Sequence, residues 1–226
     1  MSGAAEAVRV ADGAALLAGD LVVPRSARGI VLFAHGTGSS RHSPRNREVA
    51  ARLQASGLGT LLMDLLTEIE EAADAASGEH RFDIGLLGRR VVVALDWLGA
   101  RAATAGLPTH LFGASTGAAA ALVGAAERPE RVRSVVSRGG RPDLAGDALA
   151  RVRAPVLLLV GGRDAQVLEL NQWAADRLAA PCTTHVIPGA THLFPEPGAL
   201  DQVSRAARDW FLSHGEPRAP DGDDRD

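Results

Sequence analysis

Three residues in this chain could together perform nucleophilic catalysis: Ser115, Asp164 and His192. Ser115 lies in Gly113-Ala114-Ser115-Thr116-Gly117, a G-x-S-x-G sequence that follows the apolar run 109–112 and precedes the small-residue stretch 118–126. Strand, tight turn and helix is the context in which such a motif presents a serine for reaction. Glycines at 113 and 117 let the backbones of strand and helix pass closely, and the serine is left at a helix N-terminus. Backbone N–H groups there can stabilise a developing oxyanion. Because Gly, Ala and Ser are abundant in this chain, the motif alone also fits an ordinary strand-to-helix turn.

The downstream sequence decides between those readings. Val156 to Val160 is an apolar run ending in Gly161-Gly162-Arg163-Asp164, a buried strand that delivers a carboxylate at its C-terminal end. Thr184-His185-Val186-Ile187 leads through Pro188-Gly189 to His192, again a strand followed by a turn and then an imidazole. Nucleophile, acid and histidine thus follow successive strand ends, where a parallel α/β sheet gathers its chemistry. Further upstream, Ile30 to Ala34 is a strand that opens into His35-Gly36-Thr37-Gly38-Ser39-Ser40. A glycine-rich loop in that place can aim a backbone N–H at the same reacting carbonyl.

On these residues the chain resembles the α/β-hydrolases, and within them the small, lidless dienelactone-hydrolase-like branch, over about residues 20–214. The resemblance implies Ser115 as nucleophile, His192 as general base and then acid, and Asp164 as the residue that orients it. It implies an oxyanion hole built from the backbone N–H groups of Thr37 and Thr116, with no cofactor and no metal. Asp64 also follows a strand end, but Asp164 has the position usual for the family's acid. Founding dienelactone hydrolases carry Cys at the elbow where this chain has Ser115, so their lactone substrate does not transfer.

The elements that must position these residues follow from periodicity. Val8 to Pro24 alternates around the turn signal Asp12-Gly13, which predicts one or two antiparallel edge strands. Ser43-Pro44 predicts a helix start, with Ser as N-cap and Pro at the first helical position, and Gly57 ends that helix. Ile84, Leu87, Val91, Leu95 and Leu98 recur at helical spacing. Strands are expected at 60–63, 107–114, 133–137 and 183–187, and helices at 84–103, 116–126, 166–178 and 197–212. Residues 65–83 read as a polar, acidic connection whose Glu68, Glu70, Glu71 and Asp74 belong at a mobile surface beside the catalytic edge. Alternating strands and helices predict an α/β fold with a doubly wound, mostly parallel sheet. Residues 1–214 read as one domain, and 215–226, rich in Pro, Gly and Asp, as a disordered tail. The connection 138–153 is too short for a lid, so an open pocket and a small substrate are expected.

Composition narrows the function classes. Net charge is −3, with every basic residue an Arg, so neither nucleic acid nor a membrane surface is an expected partner. Cys182 is the sole cysteine, which excludes an intramolecular disulfide, and a cytoplasmic location is the default. His35, His80, His110 and His185 lack the spaced partners of a metal site and read as structural. Gly36 and Arg41 are the candidates for contact with substrate, Arg41 as the first of a cluster with Arg45 and Arg47. That cluster reads either as an anion site or, with the better warrant, as a solvated helical turn. The leading expectation is a serine hydrolase acting on a small ester, thioester or related acyl bond. Acyl transfer to another acceptor, tailoring of a natural product, or a non-catalytic binding protein on the same fold remain as alternatives, and a homodimer is left open.

Overall fold

The computed structural model describes residues 3–215; the tail expected at 215–226 lies, but for its first residue, outside them. The described chain forms an eight-stranded sheet in the order β1-β2-β4-β3-β5-β6-β7-β8. The strands are β1 (Glu6–Asp12), β2 (Ala15–Val22), β3 (Ile30–Ala34), β4 (Gly59–Met63), β5 (Thr109–Ala114), β6 (Val132–Arg138), β7 (Val156–Gly161) and β8 (Cys182–Ile187). Only β2 runs against its neighbours; from β4 to β8 every pairing is parallel. The β1–β2 hairpin turns at Gly13, whose φ of 60° suits a two-residue loop.

Helices cover both faces. They are α1 (Pro44–Ala55), α2 (Glu68–Ser77), α3 (Ile84–Ala100), α4 (Thr116–Glu127), α5 (Ala165–Ala175) and α6 (Ala199–Ser213), with a 3₁₀ segment at Pro142–Arg151. Strand alternation splits the core in two. Ile30, Leu32 and Leu111 face α3 and α4, burying Leu87, Val91, Leu95 and Leu122. Val31, Phe33, Phe112 and Val136 face α1 and α6, burying Val49, Leu53, Val203 and Phe211. The 3₁₀ segment is the whole insertion between β6 and β7, so no lid crosses the sheet edge there. Among the described residues no helix is long and apolar enough to cross a membrane.

Helix α2 departs from the polar connection expected over 65–83. Its order comes from polar contacts rather than an apolar stripe. The Thr67 hydroxyl accepts from Glu70 N–H while the Glu70 carboxylate accepts from Thr67 N–H, a reciprocal cap that satisfies two orphan donors. Glu70 also receives both terminal nitrogens of Arg90, at 2.7 and 2.6 Å. Glu68 and Glu71 lie at the surface as expected. Asp74 does not: it is buried, because it takes the backbone amides of His80 and Arg81 and the Arg81 side chain.

Candidate functional site

β5 delivers Ser115 in a strained turn. Its φ of 52° and ψ of −125° are rare for a residue with a side chain, and Phe194 alone among the other described non-glycine residues has positive φ. Surrounding contacts hold that conformation: Ser115 N–H donates to the Arg138 carbonyl at 3.3 Å, and the Ser115 carbonyl accepts from Arg141 N–H at 3.0 Å. The turn packs so closely that a Cβ on Gly117 would collide with the carbonyls of Ala34 and His35. Gly36 backs directly on the serine, where a Cβ would lie 2.7 Å from Ser115 Cβ.

Asp164 and His192 meet. His192 Nδ1 lies 2.7 Å from Asp164 Oδ2, an arrangement in which Nδ1 donates to the carboxylate and Nε2 stays unprotonated. Asp164 stands as N-cap of α5 without using its side chain to cap, which leaves the carboxylate for the imidazole. The two loops are stapled together: Arg163 N–H donates to Ala190 O at 2.9 Å and Gly162 N–H to Ile187 O at 2.9 Å. Glu196 fixes the histidine turn by accepting from Thr191 N–H at 3.0 Å and from its hydroxyl at 2.6 Å, and the hydroxyl bond holds the Glu196 carboxyl below its usual range. His192 in turn lies over the 138–141 segment that grips Ser115, since a Cβ on Gly139 would lie 2.8 Å from the His192 carbonyl and 3.6 Å from its Nδ1. The Ser115 hydroxyl makes no hydrogen bond to His192 Nε2 among the described residues, in contrast to the close contact expected for this pair. Such bonds commonly tighten only with substrate present.

The other sequence candidates are distributed differently. Thr116 opens α4, so its N–H has no intrahelical acceptor. Thr37 N–H is already engaged, donating to the Thr116 hydroxyl at 3.0 Å. Arg41 is tied down: Asp64 accepts from both its backbone N–H and its guanidinium, and Asp20 lies 3.9 Å away. A guanidinium neutralised in this way is a poor anion receptor, and Asp64 is equally spent as a partner for histidine. His35 spans its loop, donating from Nδ1 to Gly36 O and accepting Leu65 N–H at Nε2. Burial depresses its pKa, against the opposing effects of the Gly36 bond and of Asp64 and Glu71. A cavity of about 150 Å³ adjoins this loop, bounded by Gly36, Thr37, Leu65, Leu66, Arg81 and Thr116. Burial alone would raise the Asp74 carboxyl on its rim, but the amides of Arg81 and His80 and the Arg81 guanidinium outweigh it and hold it low. A larger cavity of about 430 Å³, beside Val132, Arg133, Pro155 and His214, lies where β6 and β7 begin, at the opposite edge of the sheet.

Comparison with known proteins places this architecture. No family model matches the chain. A dienelactone hydrolase from Anabaena variabilis superposes with a TM-score of 0.91 at 55% identity, covering 93% of this chain and 98% of that one. The chain belongs to the dienelactone-hydrolase-like branch of the α/β-hydrolases. Est1E from Butyrivibrio proteoclasticus, at 15% identity and a TM-score of 0.76 over 92% of this chain and 98% of its own, shares the fold. Two Mycobacterium tuberculosis proteins that carry the provisional name phosphoribosyl transferase are 56% identical over 209 residues, 92% of this chain. The chain spans about half of their length, 46%.

One residue at this edge of the sheet escaped the sequence reading. Arg138, the last residue of β6, is 6% exposed, and its Nε and Nη1 have no hydrogen-bond partner. Burial, and secondarily the charge of Arg45, lower its pKa to about 10. A charged residue at a strand end reads in sequence as solvated, and no local pattern announces that a partner is missing.

Proposed function

We propose that this α/β-hydrolase is a serine hydrolase that cleaves a small ester, thioester or related acyl bond. The observation that carries this reading is the Asp164–His192 bond, joined through the 138–141 segment to a serine held at positive φ. In the proposed cycle His192 Nε2 takes the Ser115 proton as Oγ attacks the acyl carbon. The negative oxygen of the tetrahedral intermediate is received at the N-terminus of α4 by Thr116 N–H, and by Thr37 N–H once it releases the Thr116 hydroxyl. His192 then protonates the leaving group. Water, deprotonated by the same nitrogen, attacks the acyl-enzyme and frees the acid and Ser115. Asp164 keeps Nδ1 protonated and stabilises the imidazolium throughout.

The provisional name of the mycobacterial relatives belongs to proteins of which this chain spans about half, 46%, and it is not carried over to this reading. The absence of a lid and the small cavity beside Thr37 and Thr116 favour short acyl groups over long lipids. Labelling with a fluorophosphonate probe tests the mechanism. Wild type should be modified at Ser115, and Ser115→Ala should be left unmodified. A panel of activated esters of increasing chain length tests the substrate class, with rates expected to fall beyond short acyl chains. Absence of labelling together with absence of ester hydrolysis would overturn the proposal.

A further inference from the structure

Arg138 differs from the other well-buried arginine of the fold. Arg90, 2% exposed, is met by the Glu70 carboxylate through two hydrogen bonds and by Asp12 and the Leu65 carbonyl. Half-buried Arg141 likewise has Asp143. Arg138 has no carboxylate among the described residues: its only side-chain hydrogen bond runs from Nη2 to Asn46 Oδ1 at 3.4 Å, and the Phe194 ring lies 6.0 Å from its guanidinium carbon. Another cation, Arg45, acts on it with its charge; Arg45 precedes Asn46 in the first turn of α1 and has a buried Nε that also lacks a partner. A buried unpaired guanidinium is expensive, and a second cation beside it adds to the cost. A protein keeps such a group where something else supplies the acceptors.

The place of this pair in the fold identifies what that is. Arg138 follows Val136 on the α1 and α6 face of β6, and its own carbonyl accepts from Ser115 N–H. Its next neighbour, Gly139, packs on the His192 turn. The Arg138 guanidinium therefore stands between Asn46 in the first turn of α1 and the Phe194 ring, on a residue whose backbone holds Ser115. Arg41, the expected anion contact of this cluster, is neutralised by Asp64, whereas Arg45 and Arg138 are not. Two guanidinium forks with no acid between them match a group of charge near −2 with three acceptor oxygens.

We propose that Arg138 and Arg45 bind a phosphate monoester on the non-reacting part of the acyl substrate. This rests on the acyl-hydrolysis reading above and specifies its substrate class. Arg138 supplies the fixed, desolvated charge, held against Phe194 and Asn46. Arg45, half-buried, supplies the second guanidinium.

Two measurements on the purified protein test it. The first compares kcat/KM for three acyl esters matched except for a terminal hydroxyl, carboxylate or phosphate on the leaving group. Wild type should favour the phosphate ester by about tenfold or more over both others, as expected for charge-assisted bonds in a desolvated site. That preference should collapse in Arg138→Gln and weaken in Arg45→Gln, and persist in Arg47→Gln, which alters an exposed neighbour. The second follows thermal stability with inorganic phosphate against chloride at equal ionic strength. Phosphate should raise the Tm of wild type and of Arg47→Gln but not of Arg138→Gln. This readout keeps the test valid if Arg138→Gln loses activity, and melting of that variant without phosphate reports directly on its folding. Equal rates on the three esters, or a carboxylate preferred to phosphate, would overturn the proposal. So would phosphate stabilisation without ester preference, which would make the pair a site for free phosphate rather than for substrate. Fluorophosphonate labelling of Ser115 keeps the two readings apart: labelling without phosphate preference removes this inference alone, and phosphate stabilisation without labelling removes the hydrolase mechanism.

Discussion

The Thr37 backbone amide donates to the Thr116 hydroxyl at 3.0 Å, and the two hydroxyls also lie 3.0 Å apart. The amide expected to receive the oxyanion is thus held by the side chain that follows Ser115. On the proposed mechanism an incoming oxyanion displaces that hydroxyl, because a charged acceptor accepts far more strongly than a neutral one. Thr116→Val keeps the β-branched shape and removes the competing acceptor. Its expected effect is a loss of stability of about 1 kcal/mol, from an amide left without its resting partner. The expected effect on kcat/KM for a small ester is no loss or a modest gain. Stopped-flow hydrolysis and thermal melts measure both, and a fall in kcat/KM of about tenfold or more would make the Thr116 hydroxyl itself an oxyanion donor.

On the proposed mechanism, substitutions at Ser115, His192 and Asp164 should separate by role. Ser115→Ala and His192→Ala should each lower ester hydrolysis by roughly a thousandfold or more, because nucleophile and base act as a unit. Asp164→Asn should be somewhat less severe, since Asp164 orients the imidazole and does not react. Ser115→Gly should also be inactive yet melt higher than Ser115→Ala, because glycine relieves a φ of 52°. That relief is of the order of 1 kcal/mol after glycine's own entropic cost. Equal melting of the glycine and alanine variants would show that the elbow stores no strain.

Much of this architecture is legible in the chain because it is written in short-range patterns. Apolar runs such as Ile30 to Ala34 and Val156 to Val160 admit only buried strands, and Ser43-Pro44 places the start of α1 to the residue, with the Ser43 hydroxyl accepting from Asn46 N–H. What was missed depends on contacts between distant residues. Helix α2 has no apolar stripe, and its anchor is Arg90, twenty positions beyond Glu70. Its Thr67–Glu70 cap has a Thr-x-x-Glu spacing in the sequence, which the reading of this stretch by its acidic composition did not use. The engagement of Thr37 by Thr116 links residues 79 apart, and that of Arg41 by Asp64 links residues 23 apart. No pattern local to either partner encodes such pairings, so an arginine cluster read as one unit divides into a neutralised Arg41 and an unpaired Arg45.

Acid sensitivity should have an identifiable component at the opposite edge of the sheet. His110 is fully buried in β5, beside Phe211, with Nδ1 2.9 Å from the Ser134 hydroxyl. Burial, with smaller contributions from His214 and Arg133, pushes its pKa down to about 3. In the folded protein it therefore stays neutral while the unfolded chain takes up a proton near pH 6.5. The sign follows: this residue contributes nothing to pH dependence above about 6.5, and destabilises the fold progressively as pH falls from there toward about 3. The slope contributed is at most about 1.4 kcal/mol per pH unit. His110→Gln, which cannot protonate, should flatten the denaturation midpoint across that window relative to wild type, whatever its stability at neutral pH. An unchanged slope would place the acid transition elsewhere.

Helix α2 should owe its place beside the candidate site to a single buried arginine. Arg90 projects from α3 with both terminal nitrogens on Glu70, and Nη1 also donates to the Leu65 carbonyl at 2.6 Å. It thereby ties α2 and the end of β4 to the body of the fold. The Arg90 bond is the main reason the Glu70 carboxyl is held down at about 2. Its stabilising effect is present above the ordinary carboxylate range and fades as pH falls through about 2. Since α2 bears Asp74 and Ala75 on the rim of the cavity beside Thr37, loosening it should alter binding more than chemistry. Arg90→Met removes the tie and leaves the Glu70 carboxylate half-buried with the Thr67 amide in place of its countercharge, an expected loss of about 3 kcal/mol. Pairing it with Glu70→Gln should recover part of that loss, because the second change removes the stranded charge. In the single variant KM for a short ester should rise several-fold with kcat little changed, since Ser115, Asp164 and His192 are held by other loops. Hydrogen exchange should report faster opening confined to α2 and its flanks. A drop in kcat with KM unchanged would instead place α2 in the support of the catalytic residues themselves.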